Sequence, residues 1–177
     1  MVRGAAGRWG GAAGVILGAV LLASPISAQL DVGIRVGSQA TALVLPDLDG
    51  NPVDLGTVIG KKPVLVEFWA TWCSICMGLL PQLEQVHRTY GDRLEMFGVH
   101  VNVNASKSRI RRYLDQHRPP FRVLFDEHGA GVRAFDVLTT SVVVIVDSAG
   151  RVAYAGSGEK QDLVGAVARV FGARTGP

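Results

Sequence analysis

The sequence predicts an α/β domain, a sheet of parallel strands closed by an antiparallel hairpin and flanked by helices, and three observations carry that expectation. From residue 64 onward, short apolar runs alternate with longer segments of helical periodicity, the pattern of β-α-β units with parallel pairing. The run Val64 to Ala70 is apolar except for Glu67, as a strand buried on both faces requires. Near the C-terminus, Val142 to Val146 and Val152 to Ala155 flank Asp147-Ser148-Ala149-Gly150, a turn that folds two strands back on each other.

The first 28 residues contain Arg3 and Arg8, an apolar stretch from Gly10 to Ala23, and Ser24-Pro25-Ile26-Ser27-Ala28. This is the pattern of a secretory signal peptide cleaved after Ala28. Because the apolar stretch up to Ala28 approaches the ~20 residues that a bilayer demands, an N-terminal membrane anchor is the alternative. Either segment, 1–28, would place the remaining domain in the periplasm or another extracytoplasmic space, touching a membrane only through that segment if it is retained. Of 18 basic side chains two, Arg3 and Arg8, lie there, so 16 remain against 15 acidic ones. That balance gives no reason to expect a nucleic-acid partner. The remaining length of about 150 residues suits one domain with a full core.

Ala42 to Leu45 and Pro52 to Leu55 flank Asp47-Leu48-Asp49-Gly50, which reads as an N-terminal hairpin, Asp-Gly being a turn signal. After the Val64 strand, Leu79, Leu80, Leu83, Val86 and Tyr90 recur at helical spacing up to Gly91, so a helix is expected there. Leu94 to Val103 reads as the next strand. Ser106 to His117 reads as a charged surface helix stopped by Pro119-Pro120, and Phe121 to Phe125 as a short strand. Gln161 to Phe171 is the last expected helix, with Pro81 a kink in the first. Arg109, Arg111, Arg112 and Arg118 form a basic surface that by itself names no partner.

Cys73 and Cys76 are the only cysteines, between the Val64 strand and the helix that follows. A helix beginning at Cys73 would hold their Cβ atoms ~5 to 6 Å apart, close to the separation a disulfide needs. Its loop would span only four residues, so a structural bridge would add little stability. The pair reads as a redox-active disulfide. In the first helical turn, unpaired N–H groups and the helix dipole favour a Cys73 thiolate. Cys76, one turn deeper, would then resolve the mixed disulfide.

Other chemistries fit the spacing less well. Covalent haem attachment needs His after the second cysteine, and position 77 is Met77. Zinc sites need further ligands at ordered spacing, whereas His87, His100, His117 and His128 are scattered. Two thiolates alone can still hold a soft ion such as Cu(I), so a copper-binding module is the alternative from another class. No cofactor is expected.

The segment Phe68-Trp69-Ala70-Thr71-Trp72-Cys73-Ser74-Ile75-Cys76, with Gly60-Lys61-Lys62-Pro63 before it and Pro81 after it, resembles the thioredoxin superfamily. Within it, the Pro46 to Gly50 hairpin, Leu124 to Gly129, Val146-Asp147 and Gly150-Arg151 resemble exported TlpA/ResA/CcmG-like thiol-disulfide oxidoreductases. That resemblance covers residues 37–172, leaving 173–177 as a tail. It implies a central mixed β-sheet flanked by helices, an N-terminal β-hairpin, and an inserted helix and strand between the βαβ and ββα halves. It also implies exchange with protein thiols and disulfides, often those of apocytochromes c or copper-site proteins, and a membrane dithiol donor.

Carried over, Cys73 is the nucleophile and Cys76 the resolving thiol. Glu67, six residues before Cys73, falls where thioredoxins bury an Asp, and could take the proton of Cys76 with its pKa raised by burial; alternatively it reaches solvent at the strand end or pairs with Lys61 or Lys62. Trp69 is expected in the core and Trp72 partly exposed beside the thiols. Thr140-Ser141 aligns with the family's substrate-docking Thr-Pro, so Trp72, Thr140 and Ser141 are the expected substrate-binding residues. Ser141 replaces a cis-proline, and its peptide is expected to be trans, since a non-proline cis bond costs roughly 2.5 to 4 kcal/mol. Ser74-Ile75 puts no basic side chain beside the thiolate, which points away from a strong oxidant and toward a reductant or a mid-range potential. Peroxiredoxins place Thr three residues before their cysteine; here that position is Ala70.

Overall fold

The computed structural model describes Met1, residues 32–101 and residues 105–172. The expected leader or anchor over 1–28, the end of the expected Leu94 to Val103 strand, and the tail 173–177 lie outside the described residues. Among the described residues no helix is long and apolar enough to cross a membrane.

The run Val64–Trp69 (β3), apolar but for Glu67, is buried at every position because it lies in the middle of a five-stranded sheet. Its neighbours are Glu95–Val101 (β4), parallel to it, and Val142–Val146 (β6), antiparallel. Arg122–Asp126 (β5) extends the sheet beyond β4, and Val152–Gly156 (β7) beyond β6, giving the order β5-β4-β3-β6-β7. The sheet is mixed, as expected. The hairpin of Val44–Pro46 (β1) and Pro52–Asp54 (β2) forms its own two-stranded sheet, turned by Asp47, whose carboxylate accepts the N–H groups of Asp49 and Asn51 at 2.9 Å each.

Side chains alternate along each strand, so the sheet offers two apolar faces. Leu65, Val143 and Ile145 meet Leu79, Leu83 and Val86 of Ser74–Tyr90 (α1) and Leu163, Ala166 and Val167 of Leu163–Gly172 (α4). On the opposite face Val64, Val66 and Phe68 pack with Val99, Leu124, Val144 and the hairpin residues Leu45 and Val53. Lys107–His117 (α2) and β5 form the inserted pair between the βαβ and ββα halves. Ser106 caps α2, its hydroxyl accepting the Arg109 N–H.

Two short elements are additions to the expected set. Leu55, expected to end a strand, instead begins a 3₁₀ turn, Leu55–Thr57, because Asp54 accepts the Gly56 N–H at 2.8 Å. Ala130–Ala134 (α3) is a single helical stretch begun where the Asp126 carboxylate accepts the Val132 N–H at 2.8 Å.

Candidate active site

The chain leaves β3 at Trp69, turns through Ala70, Thr71 and Trp72, and enters α1 at Ser74. Cys73 is the N-cap of α1, one position earlier than the first turn expected for it. Its backbone is extended, its N–H bonds the Ala70 carbonyl at 3.0 Å, and its sulfur accepts the Cys76 N–H at 3.1 Å. An N-cap side chain occupies the place where an acceptor satisfies an orphan helix donor, so the sulfur sits at the positive end of the helix dipole. Cys73 and Cys76 are joined as a disulfide with Cα atoms 5.3 Å apart. Both are buried, while Trp72 is 53 % and Ile75 43 % exposed on the rim around them.

Glu67 lies on the face of β3 that carries Trp69 and, across the ladders, Gly98 and Val143. It is 1 % exposed. Lys62 does not reach it, its ammonium lying 2.5 Å from Glu95 instead. Burial pushes the Glu67 carboxyl up to about 8, and Oε1 has no hydrogen-bond partner. The acid is therefore protonated through neutral pH yet close to releasing its proton. Tyr113, on α2, is shifted upward first by burial and then by the charge of Glu67, and its hydroxyl donates to the thioether of Met77, the residue after Cys76. Trp69, 2 % exposed, stacks obliquely on Tyr113 with ring centres 5.2 Å apart.

Ser141 is buried immediately before β6 with φ +62°, and among the described residues no peptide bond is cis. Its N–H, which a proline would lack, donates to the Phe68 carbonyl at 2.8 Å. Its hydroxyl accepts the Gly158 N–H at 3.1 Å and its carbonyl accepts from Gln161 Nε2 at 2.9 Å. Gln82 ties this corner to α1, donating to the Gln161 carbonyl at 2.7 Å and accepting the Leu163 N–H at 2.9 Å. Thr140 and Trp72 line one open groove of about 370 Å³ with Val101, Val132, Val137, Leu138 and Thr139. The structure thus brings Trp72 and Thr140 together at a surface and turns the polar groups of Ser141 inward.

Sequence reasoning assigned no role to His100 or Tyr113. His100 is fully buried on β4 with Nε2 accepting the Thr71 N–H at 3.3 Å. Its signal was a histidine inside an apolar strand run. Among the described residues no three His, Cys, Asp or Glu side chains converge; a soft cation would find the two sulfurs of the reduced pair as its donors.

The Redoxin family model matches residues 35–170, more than three quarters of the chain. The chain belongs to the Redoxin family. It is 32 % identical over 121 residues to Thioredoxin-like protein YneN of Bacillus subtilis, covering 68 % of this chain and 70 % of that one. It is 26 % identical over 119 residues to Thiol-disulfide oxidoreductase ResA of Halalkalibacterium halodurans, covering 67 % and 66 %. A solved structure from Chlorobium tepidum, described as a candidate thiol:disulfide interchange protein DsbE, matches with TM-score 0.68 and 25 % identity over 81 % of this chain and 99 % of that one. This Redoxin-family chain is a thioredoxin-fold, TlpA/ResA/CcmG-like thiol-disulfide oxidoreductase.

Proposed function

We propose that this Redoxin-family domain is exported and exchanges its Cys73-Cys76 disulfide with cysteines of other exported proteins, acting as a reductant recharged by a membrane dithiol donor. Cysteines that must be kept reduced for cytochrome c or copper-site maturation are the client class. The observation that carries the reading is the Cys73 sulfur at the cap of α1, one turn from its resolving partner. Export rests on the leader-like segment 1–28. The reducing direction rests on Ser74 and Ile75, which add no positive charge to hold the thiolate form.

In the reduced enzyme the Cys73 thiolate attacks a client disulfide, forming a Cys73–client bond and releasing one client sulfur as a thiolate. Cys76 then loses its proton to the ionised form of Glu67 and attacks the Cys73 sulfur. The Cys73–Cys76 bond forms, the second client sulfur leaves, and the proton held by Glu67 returns to it. Two electrons pass to the client, and the donor dithiol restores the pair by the same steps in reverse. Trp72 and Thr140 border the groove where the client chain lies, and Ser141 fixes Thr140 at that edge through its three internal hydrogen bonds.

A Cys76→Ser variant tests this directly. It should accumulate mixed disulfides through Cys73 with exported proteins, and mass spectrometry of the trapped species names the clients. An empty trap, or a reduced Cys73 that resists alkylation at neutral pH, overturns the proposal.

A further inference from the structure

We infer that His100 is a positioning residue for the thiol chemistry, holding the turn that presents Cys73 as a neutral imidazole with its proton on Nδ1. The inference rests on the oxidoreductase reading but concerns a residue outside the thiol pair and its proton acceptor. His100 stands in register with Trp69, the last residue of β3. Its ring meets the Trp69 indole edge-on at 4.9 Å and lies 6.2 Å from Phe125. Its Nε2 accepts the N–H of Thr71, two residues before the nucleophile. The turn is thereby pinned at two points, the other being the bond from Cys73 N–H to the Ala70 carbonyl.

A ring nitrogen that accepts a backbone N–H carries no hydrogen, so in the neutral ring the proton belongs to Nδ1. Nδ1 is buried and has no hydrogen-bond partner, which is a cost. A phenyl ring would fill the same space against Trp69 and Phe125 without that cost. What a phenyl ring lacks is an acceptor for Thr71, and this is the property the position retains. Burial lowers the imidazole pKa to about 4, so the acceptor persists throughout the pH range in which thiolates react. Released from Nε2, the Thr71 amide would be left without its acceptor and the Cys73 sulfur would be free to leave the cap.

The test uses reduced protein and iodoacetamide, in the Cys76→Ser background so that only Cys73 reacts. His100→Phe keeps the aromatic packing and should shift the pH profile of Cys73 alkylation upward by about one unit, slowing the reaction at neutral pH about tenfold. His100→Gln, whose amide oxygen reaches the place of Nε2, should stay within about threefold of the parent. An unchanged profile in His100→Phe, or a folded His100→Gln that falls as far, overturns the inference. Should His100→Phe not fold, His100→Gln against His100→Asn decides it, because the shorter amide does not reach Thr71; equal profiles for those two overturn it. Nitrogen-15 NMR of the unsubstituted protein should show Nε2 bare and Nδ1 protonated at neutral pH. The opposite tautomer sinks the inference whatever the client traps contain, whereas the expected tautomer beside an empty trap sinks only the functional reading.

Discussion

The ring of Phe121 lies against Gly98, so close that a Cβ on that residue would overlap it. Gly98 is the β4 partner of Glu67, and Phe121 also packs on Trp69, ring centres 5.9 Å apart. The glycine therefore admits a ring that helps keep water from the buried acid. Gly98→Ala should displace Phe121, destabilising the fold by about 1 to 3 kcal/mol as overpacking does. With its cover disturbed, Glu67 should titrate below about 8, moving toward its ordinary 4.5. Denaturant unfolding and carboxyl infrared titration measure the two effects; loss of stability with an unmoved Glu67 would show that Phe121 does not shield it.

Glu67 and His100 give stability a characteristic pH dependence. Native Glu67 keeps its proton to about pH 8 while the unfolded chain releases it near 4.5, so its contribution is full below 4.5 and is lost as pH rises to 8. His100 behaves oppositely, taking its proton near 4 when native and near 6.5 when unfolded, so its contribution falls as pH drops from 6.5 to 4. The two effects oppose each other between about 4.5 and 6.5, and the loss due to Glu67 stands alone between about 6.5 and 8. Glu67→Gln removes that loss. Its stability relative to the parent should rise by up to about 1.4 kcal/mol per pH unit between 4.5 and 8, as read by urea unfolding across that range. In stopped-flow exchange the same variant should slow resolution of the mixed disulfide more than its formation; equal slowing would remove Glu67 from the proton transfer.

The long elements were legible because their patterns are local. β6 has the bounds Val142–Val146 read from its β-branched run, and β3 stands out as an apolar run of strand length. The cysteine pair was legible for the same reason, its chemistry being written in a spacing of three. α3 and the Leu55–Thr57 turn are too short to show a period, and each has an N–H of its first turn captured by a carboxylate that precedes it in the chain. The parts of the site that escaped notice are pairings between distant segments. Tyr113 meets Met77, Phe121 covers Gly98, and His100 accepts from Thr71, and no periodicity relates such positions. Glu67 was legible as a candidate through its place before Cys73, but its burial follows from the place of β3 in the middle of the sheet, which the sequence around it does not spell out.

Ser141 should reject the proline that the thioredoxin resemblance leads one to expect. Its φ of +62° lies in the region proline never occupies, since the ring holds φ near −65°. Its N–H is also committed to Phe68. Ser141→Pro should cost roughly 2 kcal/mol or more. Ser141→Gly relieves the left-handed backbone but loses the hydroxyl that accepts from Gly158, two effects of about 1 kcal/mol each and opposite sign, so its stability should match the parent. Thermal unfolding of the pair checks this; a proline variant as stable as the parent would mean that the corner tolerates another conformation.

Leu138 is 84 % exposed at the edge of the groove shared by Trp72 and Thr140. A leucine so exposed contributes almost nothing to folding, and Leu138→Ser should leave unfolding within about 0.5 kcal/mol of the parent. Its value lies in what a docked chain would cover. At about 25 cal/mol per Å² of apolar surface, burying roughly 40 Å² of this side chain under a client is worth about 1 kcal/mol, or about fivefold in capture rate. The variant should therefore form mixed disulfides with an unfolded protein client about fivefold more slowly while reducing a small aromatic disulfide at the parent rate. Equal slowing with both would place the effect at the thiols, and no slowing with either would move client docking away from this groove.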